Sequence, residues 1–268
     1  MKTISRIYVA LIFLFLYAPL FVMVFFSFNA SNSTSQFAGF SVRWYLELLN
    51  DSATITAFRN TMILAVASSL LATILGTAAA VGIFSFRNRL ARSAVMTVTN
   101  IPMMNPDIVT GISMMLLFVF IGKLLHSTNS LGFITLLIAH ITFNLPYVIL
   151  SVMPKLRQTD PHLAEAAQDL GCTRVQAFFR VILPAISSGI VSGLVTSFTL
   201  SLDDFVISYF TSGSDFQTLP IRIFAMTKRR VTPDMYALSS LIFLSVLILL
   251  LLMNISQLRS EKKQKRRI

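Results

Sequence analysis

The chain has 268 residues, of which 55% are hydrophobic and 12% are charged, and its formal net charge is +11 at pH 7. A water-soluble domain does not need so large an apolar fraction, whereas a bundle of membrane-spanning helices does. The composition therefore argues against a soluble enzyme and predicts an all-α integral membrane protein. The single cysteine, Cys172, excludes a disulfide framework within the chain.

Six apolar stretches are long enough to cross a bilayer, since one crossing needs roughly 20 apolar residues. They are about Ile7–Phe28, Thr61–Phe84, Ala94–Phe120, Leu131–Met153, Ile182–Phe210 and Met235–Ile255. The first stretch follows two basic residues, as the core of a secretory signal peptide does, but its apolar run is too long for one. We therefore interpret it as a retained first span and expect residues 1–268 to form one transmembrane domain.

The segment between the first two spans carries large apolar side chains at near-helical spacing. They are Phe37, Phe40, Trp44, Tyr45 and Leu48. Aromatic residues beside a span typically form the belt at the membrane interface. The alternative for Trp44 is contact with a cationic substrate or with the protein that delivers it, because an ammonium group packs well on the face of an indole.

Two regions of the predicted spans contain carboxylates, which are costly inside a membrane and therefore indicate function. Asp107 lies near the middle of the third span, close to Pro102 and Pro106. Each proline removes a backbone donor and bends or breaks a helix, and broken helices at the middle of a membrane often line a binding site. Asp203 and Asp204 form the second region, in the outer third of the fifth span.

The fifth span also carries small and polar residues every three or four positions, which places them on one face of a helix. They are Gly189, Gly193, Ser197, Ser201 and Asp204. The Gly189-x-x-x-Gly193 spacing permits a close approach of another helix. We therefore expect this face to meet protein or a water-filled path, with Asp203 on the flank of the same path.

The three carboxylates favour a cationic substrate. Two adjacent carboxylates repel each other unless a cation neutralises them, and none of the predicted spans contains a lysine or an arginine. A linear polycation suits a carboxylate pair near the outer mouth with a third carboxylate deeper, whereas compact anions would be repelled. The alternative is a structural role, in which the aspartates bond to backbone amides or pair with Arg222 or Arg43.

Residues 154–181 form a polar insert between the fourth and fifth spans. Asp160 and Pro161 suit the start of a helix, Gly171 suits its end, and Thr173 suits the start of a second helix. The apolar positions of the two helices are Leu163, Ala166, Ala167 and Leu170, then Val175, Phe178, Phe179 and Ile182. Two short amphipathic helices joined at a glycine favour a docking surface for a soluble partner, to which Glu165 offers a charge. The alternative is an amphipathic loop on the membrane surface.

Most of the 22 basic residues lie on the same side of the six spans as the amino terminus. An excess of positive charge marks the cytoplasmic side, so we expect both termini and the insert to face the cytoplasm. The basic tail suits contact with anionic lipid, and the distribution along the spans does not suit a nucleic-acid partner. The basic cluster Lys228–Arg230 is an exception to this excess, because the six predicted spans place it on the opposite side.

The sequence offers no evident catalytic centre. It contains no Gly-x-x-x-x-Gly-Lys-Ser/Thr phosphate loop. Its histidines, His126, His140 and His162, are too scattered to suggest a metal site, and no nucleophile is paired with a base. We therefore expect no enzymatic activity and no metal or cofactor bound by this chain.

The insert has a recognisable spacing: Glu165-Ala-Ala, three residues, Gly171, nine residues, and then Val181-Ile-Leu-Pro184. This pattern resembles the EAA signature of the permease subunits of bacterial ABC importers, although Val181 stands where those permeases more often have isoleucine. Three further stretches resemble the PotC group of permease subunits, which belong to spermidine/putrescine importers. They are Met103–Val109, His140–Pro146 and Phe198–Phe205.

The resemblance implies the type I ABC importer fold in a bacterial inner membrane, with six transmembrane helices and a cytoplasmic coupling-helix insert. It implies a second, PotB-like permease subunit, a PotA-like pair of ATPase subunits that bind Mg-ATP, and a PotD-like extracytoplasmic polyamine-binding protein. The residues expected on the polyamine path are Asp107, Ser201, Asp203, Asp204 and, near the outer entrance, Trp44. Those expected at the ATPase contact are Glu165, Ala166, Ala167 and Gly171.

Three alternatives stay open at the level of sequence. One is an ABC permease for ferric iron or thiamine, although no further oxygen ligands cluster near the aspartates in the sequence. Another is a secondary transporter or channel, for which no clear inverted repeat is present and which leaves the insert unexplained. The third is a membrane scaffold, in which Asp203 and Asp204 can be replaced without effect.

Overall fold

The computed structural model describes residues 2–32, 36–86, 88–126, 130–160, 162–228 and 233–265. Within these ranges the chain is almost entirely helical, which confirms the all-α prediction. Up to the insert the helices are α1 (Lys2–Phe26), α2 (Arg43–Asn50), α3 (Ser52–Phe84), α4 (Arg89–Met104), α5 (Asp107–Leu124) and α6 (Phe133–Gln158). From the insert onward they are α7 (Leu163–Asp169), α8 (Arg174–Ala177), α9 (Leu183–Ala185), α10 (Ser187–Asp203), α11 (Val206–Thr211), α12 (Leu219–Thr227) and α13 (Pro233–Lys265). A π-helical segment, Phe178–Ile182, joins α8 to α9.

By length and composition, four helices of the described residues are able to cross a membrane. Their apolar spans are Arg6–Phe26, Ser52–Phe84, Asp107–Leu124 and Phe133–Gln158. A fifth crossing is obtained when Arg174–Ala185 and Ser187–Asp203, which meet at an angle of 68°, are counted as one broken span. The sixth predicted span lies in α13, where the apolar helix within the described residues, Pro233–Ile248, is shorter than the others.

The third predicted span is broken at Pro106. Helix α4 ends at Met104, and α5 begins at Asp107. A proline has no N–H to continue the helical hydrogen bonds, and it drives the preceding residue out of the helical region, as the ψ angle of 143° at Asn105 illustrates. The break that the prolines predicted is confirmed at Pro106. It places Asp107 in the first turn of α5, at the start of the apolar span Asp107–Leu124 and not near the middle of the predicted span Ala94–Phe120.

The chain divides into two compact units, each of which is described by itself. The first unit comprises residues 1–58 and 219–251. Its core consists of Trp44, Leu48, Ala57, Leu219, Ala237 and Leu238. The indole N–H of Trp44 donates to the carbonyl oxygen of Asn29 at 2.6 Å, and the buried Asn29 side chain in turn bonds to the backbone of Gln36 and Ala38. These bonds connect the end of α1 to α2.

An ion pair adds a second link within the first unit. Arg222 of α12 donates to the carboxylate of Asp51 at 2.9 Å, and the hydroxyl of Thr54 donates to the same carboxylate. The hydrogen bond from Thr54, followed by that from Arg222, lowers the pKa of Asp51 although partial burial opposes the shift. Asp51 is therefore a carboxylate that folding holds in its ionised form.

The second unit, residues 59–218 and 252–268, is organised around α6. Helix α10 packs along α6 because its predicted face of small residues is buried, and Gly189, Gly193, Ser197 and Ser201 all lie in this contact or in the adjoining core. A Cβ atom on Gly189 would lie 2.8 Å from Cγ of Lys155 and 2.9 Å from the carbonyl oxygen of Ser151. Of the two expectations for this face, protein or a water-filled path, the structure places protein against it.

Replacement of Gly189 by valine is expected to destabilise the α6–α10 contact by about 1–3 kcal/mol, because the new side chain has no space between the two helices. The measurement is the thermal unfolding of the purified chain in detergent, where the midpoint should fall. Gly82→Val in α3 is the matched control, since a Cβ atom there would meet nothing within 4 Å. Equal midpoints for the two variants would contradict the close approach.

Candidate functional site

The carboxylate of Asp204 lies buried at a two-residue break between α10 and α11. Its oxygens accept from the backbone N–H groups of Ile207 at 3.3 Å and Ser208 at 2.8 Å. The imidazole Nε2 of His140, on α6, lies 3.5 Å from the same carboxylate, and only 8% of the Asp204 side chain is exposed. Asp204 therefore anchors the first turn of α11, which corresponds to the backbone-amide alternative considered for the aspartates.

The neighbouring aspartate, Asp203, has a different environment. Asp203 is the last residue of α10 and is exposed, as is Asp107 at the start of α5. The ion pairs among the described residues include neither of them: Arg222 pairs with Asp51, and Arg43 pairs with Glu47 at 2.6 Å. The adjacent pair is thus divided into one buried anchor and one exposed charge.

Ser201 belongs to a second buried polar group one helical turn away. Its hydroxyl accepts from the side-chain amide of Asn144 at 2.7 Å and lies 2.9 Å from the hydroxyl of Ser68. Helices α3, α6 and α10 are thereby joined by hydrogen bonds at one level of the second unit. His140 and Asn144 are four residues apart, so the two polar groups follow one face of α6.

Tyr147 adds an aromatic group near the carboxylate of Asp107. It is partly buried on α6, three residues after Asn144, and its ring lies 5.5 Å from that of Phe143. An electrostatic interaction links its phenol to the carboxylate of Asp107. The start of α5 and the exposed side of α6 therefore present a carboxylate and a phenol together.

Trp44 lies in the core of the first unit, where 6% of the residue is exposed. Its N–H is engaged by Asn29, and the guanidinium of Arg43 lies 5.2 Å from the centre of its ring. In this arrangement the indole supports the segment between α1 and α2. Substrate contact by Trp44 stays a prediction.

The insert folds as two short helices joined at a glycine. Gly171 has a φ angle of +86°, which a residue with a side chain rarely adopts, and the N–H of Cys172 closes the end of α7 on the carbonyl of Ala167 at 3.0 Å. Thr173 caps α8 in a reciprocal pair of hydrogen bonds with Gln176. The predicted helix end at Gly171 and helix start at Thr173 are confirmed. Pro161 lies outside the described residues.

The apolar side of the insert is largely uncovered within this chain. Leu170 is 87% exposed, and Val175 and Phe179 are also exposed, whereas Ala167 is buried. Ala166 is exposed beside Glu165, whose side chain is 73% exposed and lies 3.1 Å from Nδ1 of His162. Hydrogen bonding and attraction by Glu165 raise the pKa of His162. The insert thus presents leucine, valine and phenylalanine side chains with an ion pair at its edge.

A family comparison identifies the class to which this arrangement belongs. Residues 72–266 match the family described as the binding-protein-dependent transport system inner membrane component. The chain belongs to this family. It is therefore a multi-pass permease of the inner membrane and a translocation subunit rather than an enzyme.

Curated relatives of this permease are similar over most of its length. It is 40% identical to the putrescine transport system permease protein PotI of Escherichia coli K12 over 86% of this chain and 82% of the relative. It is 39% identical to the spermidine/putrescine transport system permease protein PotC of Haemophilus influenzae over 94% of each chain. PotC of Escherichia coli K12 is 35% identical, over 95% of this chain and 92% of the relative.

Solved structures of ABC importers share the fold of the permease. A chain of a bacterial ABC transporter involved in the import of the acidic polysaccharide alginate superimposes with a TM-score of 0.72 at 17% identity, covering 96% of this chain and 95% of that one. The same transporter type in complex with an alginate pentasaccharide-bound periplasmic protein gives 0.70 at 16% identity, covering 99% and 94%. At this identity the likeness establishes the fold of an importer permease and nothing about the solute.

Sequence reasoning missed the polar partners of the predicted site. His140, Asn144, Tyr147 and Ser208 received no role, although the stretch His140–Pro146 resembled the family. The available signal was the four-residue spacing of His140 and Asn144 within an apolar run, which places both on one helical face. Which helix they face was not readable from the sequence.

Replacement of Glu165 by glutamine is expected to lower the pKa of His162, because the hydrogen-bonded negative charge that stabilises the imidazolium is lost. In the native permease the attraction is present below the ordinary histidine pKa of 6.5 and disappears as the pH rises through the raised value. Titration of the His162 ring resonances by NMR measures the shift. Asp169→Asn, on the same helix, is the control, and an unchanged titration in Glu165→Gln would contradict the pairing.

Proposed function

We propose that the permease forms half of the translocation path of an ATP-driven importer of polyamines, such as spermidine and putrescine. The observation that carries the proposal is the pair of exposed carboxylates, Asp107 and Asp203, for which the described part of the second unit offers no ion-pairing cation. A row of ammonium groups suits such carboxylates, since charged hydrogen bonds are roughly twice as strong as neutral ones. Relatives named for putrescine and spermidine/putrescine transport support the same substrate class.

The proposed complex contains a second permease subunit, a pair of ATPase subunits that bind Mg-ATP, and an extracytoplasmic binding protein. The uncovered apolar side of the insert supports an ATPase contact, which we place at Glu165, Ala166, Ala167 and Gly171. Exposed Leu170 and Phe179 offer the area that a stable contact needs. This assignment sets the insert and both termini on the cytoplasmic side, in agreement with the excess of basic residues there.

Transport would proceed by alternating access. ATP binding closes the ATPase pair, which moves the insert and opens the permease outward to receive the substrate. Each ammonium group loses water and binds a carboxylate, first that of Asp203 and then that of Asp107. The positive charge therefore always has a negative partner in a medium of low dielectric constant. Hydrolysis returns the permease to the inward-open state. Ser201 and Asp204 contribute to the wall of the path by holding α10 and α11 in place.

Asp203→Asn is expected to reduce ATP-driven uptake of labelled spermidine by about ten- to a hundredfold, because one charged hydrogen bond to an ammonium contributes on the order of 1.5–3 kcal/mol. The measurement uses liposomes that contain the assembled importer and its binding protein. Asp107→Asn should also reduce uptake, whereas Asp215→Asn, which removes an exposed carboxylate between α11 and α12, should not.

The uptake measurements test the proposed substrate and the proposed site residues separately. Absence of spermidine and putrescine uptake by the native complex would contradict the proposed substrate class. Native uptake that Asp203→Asn and Asp107→Asn leave unchanged would retain polyamine import and remove these two residues from the path. Uptake that continues without ATP would contradict the importer mechanism.

A further inference from the structure

We propose that His140 is a positioning residue of the substrate path. Its imidazole holds Asp204 at the break between α10 and α11, and the fixed break keeps the carboxylate of Asp203 directed outward. The inference rests on the proposed function for the role of Asp203, but the anchoring of Asp204 is a property of the fold and can be tested separately.

The imidazole of His140 contacts two neighbouring groups, the hydroxyl of Ser208 and the carboxylate of Asp204. Nε2 lies 3.0 Å from the hydroxyl of Ser208 and 3.5 Å from the carboxylate of Asp204, and the His140 side chain has no exposed surface. Ser208 itself donates its backbone N–H to the same carboxylate at 2.8 Å. The His140 side chain, on α6, therefore contacts both the Asp204 carboxylate, which accepts a hydrogen bond from α11, and Ser208, which donates it.

The other ring nitrogen indicates which tautomer fits the site. Nδ1 of His140 is buried and has no hydrogen-bond partner among the described residues. A hydrogen on Nδ1 would be a buried donor without an acceptor, which is costlier than a bare lone pair. The tautomer with its hydrogen on Nε2 leaves only a lone pair on Nδ1 and directs the hydrogen toward Ser208 and Asp204. This tautomer therefore has no buried donor without an acceptor. The Nε2 hydrogen is then shared between the hydroxyl of Ser208 at 3.0 Å and the carboxylate of Asp204 at 3.5 Å.

The anchor determines where Asp203 points because the two aspartates are adjacent. Helix α10 ends at Asp203, and Asp204 adopts extended backbone angles, with φ of −63° and ψ of 123°. Asp204 is held by His140 and by two backbone amides, whereas the preceding residue, Asp203, is exposed. Loss of the contact between His140 and Asp204 would allow the non-helical break between α10 and α11 to move to neighbouring residues. The position of the Asp203 carboxylate would then change.

The test compares His140→Leu, which has a similar volume and no donor, with His140→Gln, whose side-chain amide can place an N–H near the position of Nε2. Thr142→Val is the control, since Thr142 is exposed on the same helix and its hydroxyl bonds only to the carbonyl of Ile138. Hydrogen exchange of the α11 amides is measured in the assembled complex in lipid nanodiscs. We expect about tenfold faster exchange at Ile207 and Ser208 in His140→Leu and near-native exchange in the other two variants.

The functional arm measures ATP-driven spermidine uptake by the same complexes. His140→Leu should lower uptake about as much as Asp203→Asn, and the double variant should lose little more than either alone, because both changes act on one carboxylate. A general loss of stability would instead add to the effect of Asp203→Asn and would also affect His140→Gln.

Several results would overturn the proposal. Unchanged exchange in His140→Leu would exclude the anchor. Faster exchange with native uptake would leave His140 as a structural group only, and additive losses in the double variant would separate it from Asp203. If the native complex does not transport spermidine, the proposed substrate fails, while the exchange measurement still decides whether His140 anchors α11.

Discussion

The burial of one carboxylate constrains much of the second unit. Asp204 needs donors inside an apolar bundle, because a charge without partners in such a medium would be strongly destabilising. Two backbone amides of α11 and the imidazole of His140 supply them. The donors come from two elements, so the requirement of one side chain fixes the end of α10, the start of α11 and their height along α6.

Helix α6 meets these requirements because it combines two kinds of side chain. Valine and isoleucine residues provide the apolar core, as Val148 does where it approaches Gly193 of α10. His140 and Asn144 add polar contacts on one face, and Asn144 extends them to Ser201 and α3. Close packing brings the backbones near enough for short polar side chains to reach each other, and the hydrogen bonds then fix the register. Small residues and buried polar residues are thus two parts of one interface.

Features that depend on local chemistry were readable from the sequence. The helix end at Gly171 follows from the preference of glycine for the position after a helix, and the cap at Thr173 follows from the preference of threonine for the position before one. The face that runs from Gly189 to Ser201 follows from helical periodicity alone. The family signature supplied the fold class, which the structure and the comparisons confirm.

Features that depend on contacts between residues far apart in the sequence could not be predicted from the sequence. Nothing in the dipeptide Asp203-Asp204 reveals which carboxylate is buried, because the choice depends on His140, more than sixty residues earlier. Pro102 is tolerated inside α4 while Pro106 ends it, although the two prolines look alike as breakers. One local feature was also missed: helix α3 begins at Ser52, well before its apolar run, because Asp51 caps it by accepting from Ala53 and Thr54. A criterion based on hydropathy does not register a polar cap.

The angle of 68° between the segment that follows the insert and α10 has a mechanical consequence. The segment Arg174–Ala185 meets α10 at Ile186, which is completely buried. A displacement along this segment is directed mostly across the axis of α10, so a push or pull at the insert would shift the near end of α10 sideways instead of sliding the helix along its length. The far end of that helix carries Asp203. If α10 pivots on its contact with α6, a small sideways shift at one end of the helix would move the carboxylate at the other end.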